Sequence, residues 1–256
     1  MKRGFIVLLV WAVACGPAAD RQRRGSVRVA AAADLNAALG ELIGRFSASH
    51  AIDVSATYGS SGTFFAQLMN GAPFDVFLSA DVEYPRRLTE RGLVLDGEFP
   101  YAVGRIVLWV PSASTLDVKG GLGALSDPAV TRIAVANPEH APYGRAAVAA
   151  LKSAGVYEAV KTRLVFGENV GQALQFAQSG AADAGLLALS LVLAPALKDR
   201  GRWFEIPPDS YPKIEQAGAI LRSAADASAA RAFRAYLLGP EGRSILQQYG
   251  FSLPGR

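Results

Sequence analysis

The chain has 256 residues, of which 51% are hydrophobic and 19% charged, and this balance excludes an intrinsically disordered protein. The formal net charge of +4 is modest, and no stripe of basic residues interleaved with aromatic side chains supports nucleic-acid binding. The single cysteine excludes an intramolecular disulfide.

The N-terminal residues 1–25 have the pattern of an export signal followed by a tether. A basic start precedes an apolar run over residues 4–14, which is too short to span a bilayer. Two cleavages fit. Ordinary signal peptidase would use the small residues Ala12 and Ala14, whereas a lipobox would place a lipid on Cys15. We predict a periplasmic protein that is anchored to the membrane through Cys15 and touches it in no other way.

Residues 26–256 alternate between strand and helix patterns in two successive blocks. The first block has predicted strands at residues 27–32, 52–57, 75–79 and 106–110. Asp34 is the expected N-cap of the first helix, and Asp81 that of the third. The second block has predicted strands at residues 132–136, 163–166, 184–188 and 216–221. Helices are expected at Pro142, after Asn169, after residue 188 as far as about Lys198, and over residues 224–238 and 241–249.

A Gly-rich turn, Tyr58-Gly-Ser-Ser-Gly-Thr63, lies between the second strand and its helix. Such a turn aims N–H and hydroxyl groups at one point, where the helix dipole adds roughly half a positive charge. No Lys stands at the Walker position, so the turn is not a nucleotide P-loop. The residues alone leave two interpretations open, an anion site and an ordinary capped helix.

Repeated strand–helix units predict parallel-dominated sheets with ligands at the carboxyl ends of the strands. Two such blocks suggest two lobes with a cleft between them. The candidate cleft residues at strand-to-helix turns are Asp34, Ser60, Ser61, Tyr143 and Val170. Several neutral donors, each contributing roughly 1.5–3 kcal/mol to an anion, would bind a small tetrahedral oxyanion without any Lys or Arg.

Five segments come in the order that is typical of one known family. They are residues 30–35, 58–62, 70–81, 137–144 and 239–251. With them the chain resembles, over residues 27–253, the periplasmic molybdate-binding proteins of ABC transporters. The resemblance implies an α/β, two-lobed periplasmic-binding fold of type II. Lobe 1 would comprise residues 26–104 and 215–256, and lobe 2 residues 105–214.

The resemblance also implies a function. The protein would be a monomer that binds molybdate, and also tungstate, and delivers it to a permease and its ATPase. It would have no catalytic activity, no cofactor and no nucleic-acid partner. Molybdate would be held through its oxygens, without direct bonds from the protein to the metal.

The binding residues of the family carry over in part. Ser61 would supply a hydroxyl and an N–H, Tyr143 an N–H and its phenol, and Val170 an N–H. Ala33 and Ser60 are possible additional contacts. The late Tyr of some members corresponds to about Ala188, so that phenol is absent and Tyr143 would replace it.

Asp34 departs from the family pattern, which has Ser or Asn at this site. Two interpretations follow. In one, Asp34 caps its own helix with the carboxylate turned away from the ligand. In the other, it faces the pocket and is protonated when the ligand binds, or it selects a partly protonated anion. The second interpretation predicts tighter binding at lower pH.

Three other functions remain open at this stage. The same architecture would serve sulfate, a phosphate-like anion or an organic acid, although only Arg145 stands at a predicted cleft turn. A secreted hydrolase would need a nucleophile and a base, and the two histidines, His50 and His140, are poorly placed for that. A lipoprotein sensor is the third alternative.

Overall fold

The computed structural model describes residues 25–255, so the predicted export signal and Cys15 lie outside the described residues. Within them the chain forms ten strands and nine α-helices. The strands are β1 (Gly25–Ala32), β2 (Ile52–Gly59), β3 (Val76–Ser79), β4 (Val94–Gly104), β5 (Ile106–Pro111), β6 (Ile133–Ala136), β7 (Leu164–Gly167), β8 (Ala184–Ala188), β9 (Gly201–Glu205) and β10 (Ile214–Leu221). The helices are α1 (Asn36–Ser49), α2 (Ser61–Met69), α3 (Glu83–Glu90), α4 (Pro142–Ser153), α5 (Tyr157–Val160), α6 (Val170–Gln178), α7 (Leu189–Val192), α8 (Ala227–Leu238) and α9 (Pro240–Gln248).

The strands form two five-stranded sheets, one in each lobe. Sheet order is β2-β1-β3-β10-β4 in lobe 1 and β7-β6-β8-β5-β9 in lobe 2. In each sheet the first three strands pair in parallel, and the last two join by antiparallel pairing. The two-lobed α/β fold predicted from the sequence is confirmed. Each sheet has two parallel and two antiparallel strand pairs, however, whereas the sequence predicted that parallel pairs would dominate.

The central strands of lobe 1 are buried on both faces. In β3, Val76 and Leu78 join the core beneath α1, α8 and α9, whereas Phe77 joins a second core beneath α2 and α3. This division follows from the alternation of side chains along a strand. Lobe 2 has its own core, in which Trp109 and Leu151 are buried. Each lobe is therefore a packed body, and the chain between the lobes positions one against the other.

Sequence reasoning missed two strands, β4 and β9. Both are edge strands, and both pair antiparallel. Strand β4 contains Pro100 and the turn-like pair Asp96-Gly97, both at positive φ. An edge strand tolerates Pro and bulges that a central strand does not. The helix expected after β8 is also shorter than predicted, because α7 ends at Val192.

The chain passes between the lobes at two places. Strand β4 of lobe 1 ends at Gly104, and β5 of lobe 2 begins at Ile106. The chain returns to lobe 1 between β9 and β10, and Ile214 of β10 pairs with Gly104 of β4. Both crossings therefore lie side by side. Among residues 25–255, no helix has the length and apolar character that crossing a membrane requires.

Candidate functional site

A small cavity lies between the lobes at the carboxyl ends of parallel strands. Its volume is about 10 Å³, close to what one water molecule needs. The lining residues are Ala32, Ala33, Asp34, Gly59, Ser60, Ser61, Ala80, Ala141, Pro142, Tyr143, Asn169 and Val170. The structure thus brings together all six residues that the sequence proposed as ligand contacts. A tetrahedral oxyanion needs more room, so its entry requires the lobes to separate.

Three helices begin at this cavity. Ser61 is the first residue of α2, Tyr143 the second of α4, and Val170 the first of α6. The N–H groups of a first helical turn have no partner within their own helix, and the helix dipole makes this end positive. In α6 the cap itself is satisfied, because Asn169 accepts a hydrogen bond from Gln172 N at 3.0 Å. Three positive helix ends facing one cavity favour an anion.

The two serines of the Gly-rich turn have different roles. Ser61 Oγ accepts a hydrogen bond from Ala80 N at 2.9 Å, which leaves its own proton available to a guest in the cavity. Ser60 Oγ instead donates to the carbonyl oxygen of His140 at 2.6 Å. This hydrogen bond between the lobes uses the hydroxyl proton of Ser60. Ser61 is therefore the hydroxyl donor of the site.

Asp34 does not cap α1, and that interpretation is wrong. Leu35 occupies the cap position without a side-chain bond, and a short 3-10 turn over residues 33–35 precedes the helix. The Asp34 carboxylate is 1% exposed and lines the cavity. Its Oδ2 accepts hydrogen bonds from the Tyr143 hydroxyl at 2.9 Å and from Gln216 Nε2 at 2.6 Å. Tyr143 thus donates its phenol proton to Asp34, and not into the cavity as the sequence suggested.

Burial governs the ionisation of this group. Removal from water raises the pKa of Asp34 to about 6, and the hydrogen bonds from Gln216 and Tyr143 oppose this shift only in part. Burial, and then the negative charge of Asp34, raise the pKa of the Tyr143 phenol well above its ordinary value. The phenol therefore stays protonated, and Asp34 is the group in the cavity that titrates near neutral pH.

Sequence reasoning missed the residues that hold Asp34 in place. Gln216 lies fully buried in β10, and its Oε1 accepts a hydrogen bond from the Tyr101 hydroxyl at 2.7 Å. Ser190 Oγ donates to the Asp34 carbonyl oxygen at 2.7 Å. One signal was available, because Gln216 is the one amide in the otherwise apolar run of residues 216–221. A buried amide in a strand needs polar partners, which indicates a nearby site.

Direct contacts join the lobes around the cavity. The carbonyl oxygen of His140 in lobe 2 also accepts a hydrogen bond from Gly62 N at 3.0 Å. At the rim, Arg145 of α4 forms an ion pair of 2.6 Å with Asp81 of lobe 1. Arg145 does not line the cavity. None of the described residues that line it is a Lys or Arg, so backbone and hydroxyl groups are the donors of this site.

Comparisons with known proteins find relatives over nearly the whole chain. Residues 27–252 match the family model described as bacterial extracellular solute-binding protein. The molybdate-binding protein ModA of Azotobacter vinelandii is 37% identical over 96% of this chain and 97% of its own length. ModA of Rhodobacter capsulatus is 36% identical over 89% of this chain and 88% of its own length. The solved structure of an Azotobacter vinelandii periplasmic molybdate-binding protein covers 89% of this chain and 99% of its own, with a TM-score of 0.84 and 35% identity.

Proposed function

Because this chain belongs to the bacterial extracellular solute-binding proteins, we propose that it binds molybdate in the interlobe cavity and delivers it to an ABC transporter. The observation that carries the proposal is that three helix N-termini and the Ser61 hydroxyl meet at a small interlobe cavity whose described lining contains no cationic side chain. Neutral donors bind a dianion firmly and release it without breaking an ion pair.

Binding and release follow from the arrangement of the two lobes. We propose that lobe 1 comprises residues 26–104 and 215–256 and that lobe 2 comprises residues 105–214. The crossings at residues 104–106 and 211–214 would then serve as the hinge. Separation exposes the three helix ends to solvent, and closure over the anion restores the contacts of His140 with Ser60 and Gly62.

The proposed function extends to a second ligand, to the oligomeric state and to the place where the protein works. We propose that the site also takes tungstate, that the protein acts as a monomer without cofactor or catalytic activity, and that it contacts a permease and its ATPase. We further propose that it works in the periplasm and is anchored through Cys15. Globomycin, which blocks processing of lipobox signals, tests the anchor, because it would change the size of the wild-type protein but not that of Cys15→Ser.

Calorimetric titration with molybdate, tungstate and sulfate tests the ligand. We expect molybdate to bind and sulfate to bind at least tenfold more weakly, because a smaller ion stretches the hydrogen bonds of the same cavity. Equal affinity for sulfate would make this a general oxyanion-binding protein. No binding of any of the three would refute the proposed function.

Ser61→Ala tests the hydroxyl donor. A hydrogen bond to a charged partner contributes about 1.5–3 kcal/mol, so we expect molybdate affinity to fall by roughly 10- to 150-fold. The variant also leaves the buried Ala80 N–H without its partner, so thermal unfolding is measured in parallel. The control is Ser49→Ala at the exposed end of α1, which should bind as the wild type does. Unchanged affinity of Ser61→Ala would remove Ser61 from the site.

Arg145→Gln tests whether the anion is bound by neutral donors or by the guanidinium group of Arg145. Arg145 is paired with Asp81 and its side chain is 43% exposed. Ion pairs at such positions contribute about 0–1 kcal/mol, so we expect molybdate affinity to change by less than about fivefold. A loss above 100-fold would show that Arg145 holds the anion directly.

A further inference from the structure

One carboxyl oxygen of Asp34 accepts no hydrogen bond from any other residue of the described range 25–255. Oδ2 accepts both side-chain hydrogen bonds, from Tyr143 and Gln216, whereas the buried Oδ1 has no partner among the described residues. Unpaired buried polar atoms are rare in folded proteins, and one that lies at a binding cavity calls for a functional explanation. Because Asp34 lines the cavity, Oδ1 is the oxygen left to meet a guest.

An ionised Asp34 conflicts with the helix ends around it. The three N-termini favour an anion in the cavity, and a carboxylate on the cavity wall would repel that anion at close range. A proton on Oδ1 removes this conflict. It converts the unpaired acceptor into an O–H donor and leaves the two hydrogen bonds to Oδ2 in place.

From this geometry we propose that oxyanion binding takes up one proton from solvent, which Oδ1 of Asp34 holds and donates to a ligand oxygen. The inference rests on the proposed function and adds a proton to it. The anion would then bind to the form of the site in which the Asp34 carboxyl is protonated. No covalent bond forms or breaks, and the proton returns to solvent when the lobes open.

The surroundings of Asp34 provide no other group for this role. Helices α6 and α7, which pack against its turn, carry no titratable side chain. The phenols of Tyr143 and Tyr101 both have a pKa well above the ordinary value, chiefly through burial. The other titratable or charged side chains on the elements that pack against this turn are Asp53 and Tyr58 of β2 and the ion-paired Glu41 and Arg45 of α1. The Asp81–Arg145 pair lies at the rim.

The direction of the pH effect follows from the same burial. The pKa of Asp34 is raised to about 6, and a bound dianion raises it further. Below pH 6 the free protein already carries the proton, so affinity levels off. Above pH 7 binding must take the proton from solvent, and affinity falls about tenfold for each pH unit.

Calorimetry on the full chain with sodium molybdate tests the proposal. Titrations at pH 8 in buffers of different ionisation enthalpy, free of inorganic oxyanions, should show uptake of about one proton per molybdate. Affinity should fall about 50-fold between pH 6 and pH 8. Asp34→Asn, which keeps the shape of the side chain, should take up no proton, show flat affinity over this range and bind more tightly than the wild type at pH 8.

The control is Asp117→Asn, an exposed carboxylate that accepts a hydrogen bond from Lys119 N in lobe 2, and it should keep the proton uptake of the wild type. Wild-type binding without proton uptake, or an unchanged pH profile in Asp34→Asn, overturns this inference and leaves molybdate binding intact. Absence of molybdate binding at both pH values overturns the proposed function as well.

Discussion

Gly62→Ala is expected to weaken molybdate binding by roughly 5- to 150-fold while leaving both lobes folded. A Cβ at this position would lie 2.7 Å from the Cβ and 2.7 Å from the carbonyl oxygen of His140, which belong to the opposite lobe. In the separated lobes the two contacts with His140 do not exist. A third contact, 2.7 Å from the Tyr84 hydroxyl of the same lobe, is present in both states and is relieved by a shift of that side chain. Forcing an extra methyl group into a packed contact costs about 1–3 kcal/mol, and the part of this cost that arises at His140 falls on the closed state alone.

Two measurements distinguish impaired closure from a damaged lobe. Solution scattering should show that molybdate contracts the wild type more than Gly62→Ala, whereas the two proteins unfold at similar temperatures without ligand. Gly44→Ala in α1 is the matched control, because its Cβ would meet nothing within 4 Å. If Gly62→Ala bound molybdate within twofold of the wild type, the contact at His140 would have no part in closure.

Gly144→Ala is expected to destabilise lobe 2 by about 3 kcal/mol or more. A Cβ at Gly144 would overlap the carbonyl oxygen of Ala136, at the end of β6, and lie 2.8 Å from its carbonyl carbon. These are backbone atoms of a central strand, so relief requires α4 to move away from the sheet. That movement would displace Ala147 and Leu151 from the core and Tyr143 from the cavity.

Thermal unfolding followed by circular dichroism measures this effect. A loss of 3 kcal/mol corresponds to a midpoint about 6–12 °C lower for a protein of this size. The control is Gly40→Ala, a helical glycine in α1 whose Cβ would meet nothing within 4 Å, and it should stabilise the protein by up to about 1 kcal/mol. A midpoint of Gly144→Ala within 2 °C of the wild type would contradict the close approach of α4 to β6.

The parallel half of each sheet was readable from sequence because its strands are largely apolar or alternating runs that end at turn residues. Residues 184–188 were predicted as a strand with the bounds that β8 has. Strands β4 and β9 were missed because both contain Gly and charged residues, and β4 also contains Pro, and these residues are typical of a loop. The edge strands β2 and β7, which contain no Pro, were predicted.

The site, like the fold, could be predicted from the sequence only in part. The turns that carry Ser61, Tyr143 and Val170 could be found because each follows a strand and begins a helix, and strand ends meet at one edge of a sheet. Their hydrogen bonds could not be found. Whether the Tyr143 phenol donates to a ligand or to Asp34 depends on Gln216, which is 73 residues away from Tyr143 in the chain.

The sequence by itself determined the two lobes, the order of the parallel strands along the chain and the absence of Lys and Arg from the cavity turns other than Arg145. Those features are local, since periodicity and capping act over a few residues. Only the tertiary structure decided the state of Asp34. Burial and long-range hydrogen bonds from Tyr143 and Gln216 fix its orientation and raise its pKa, and both depend on the packing of one lobe against the other.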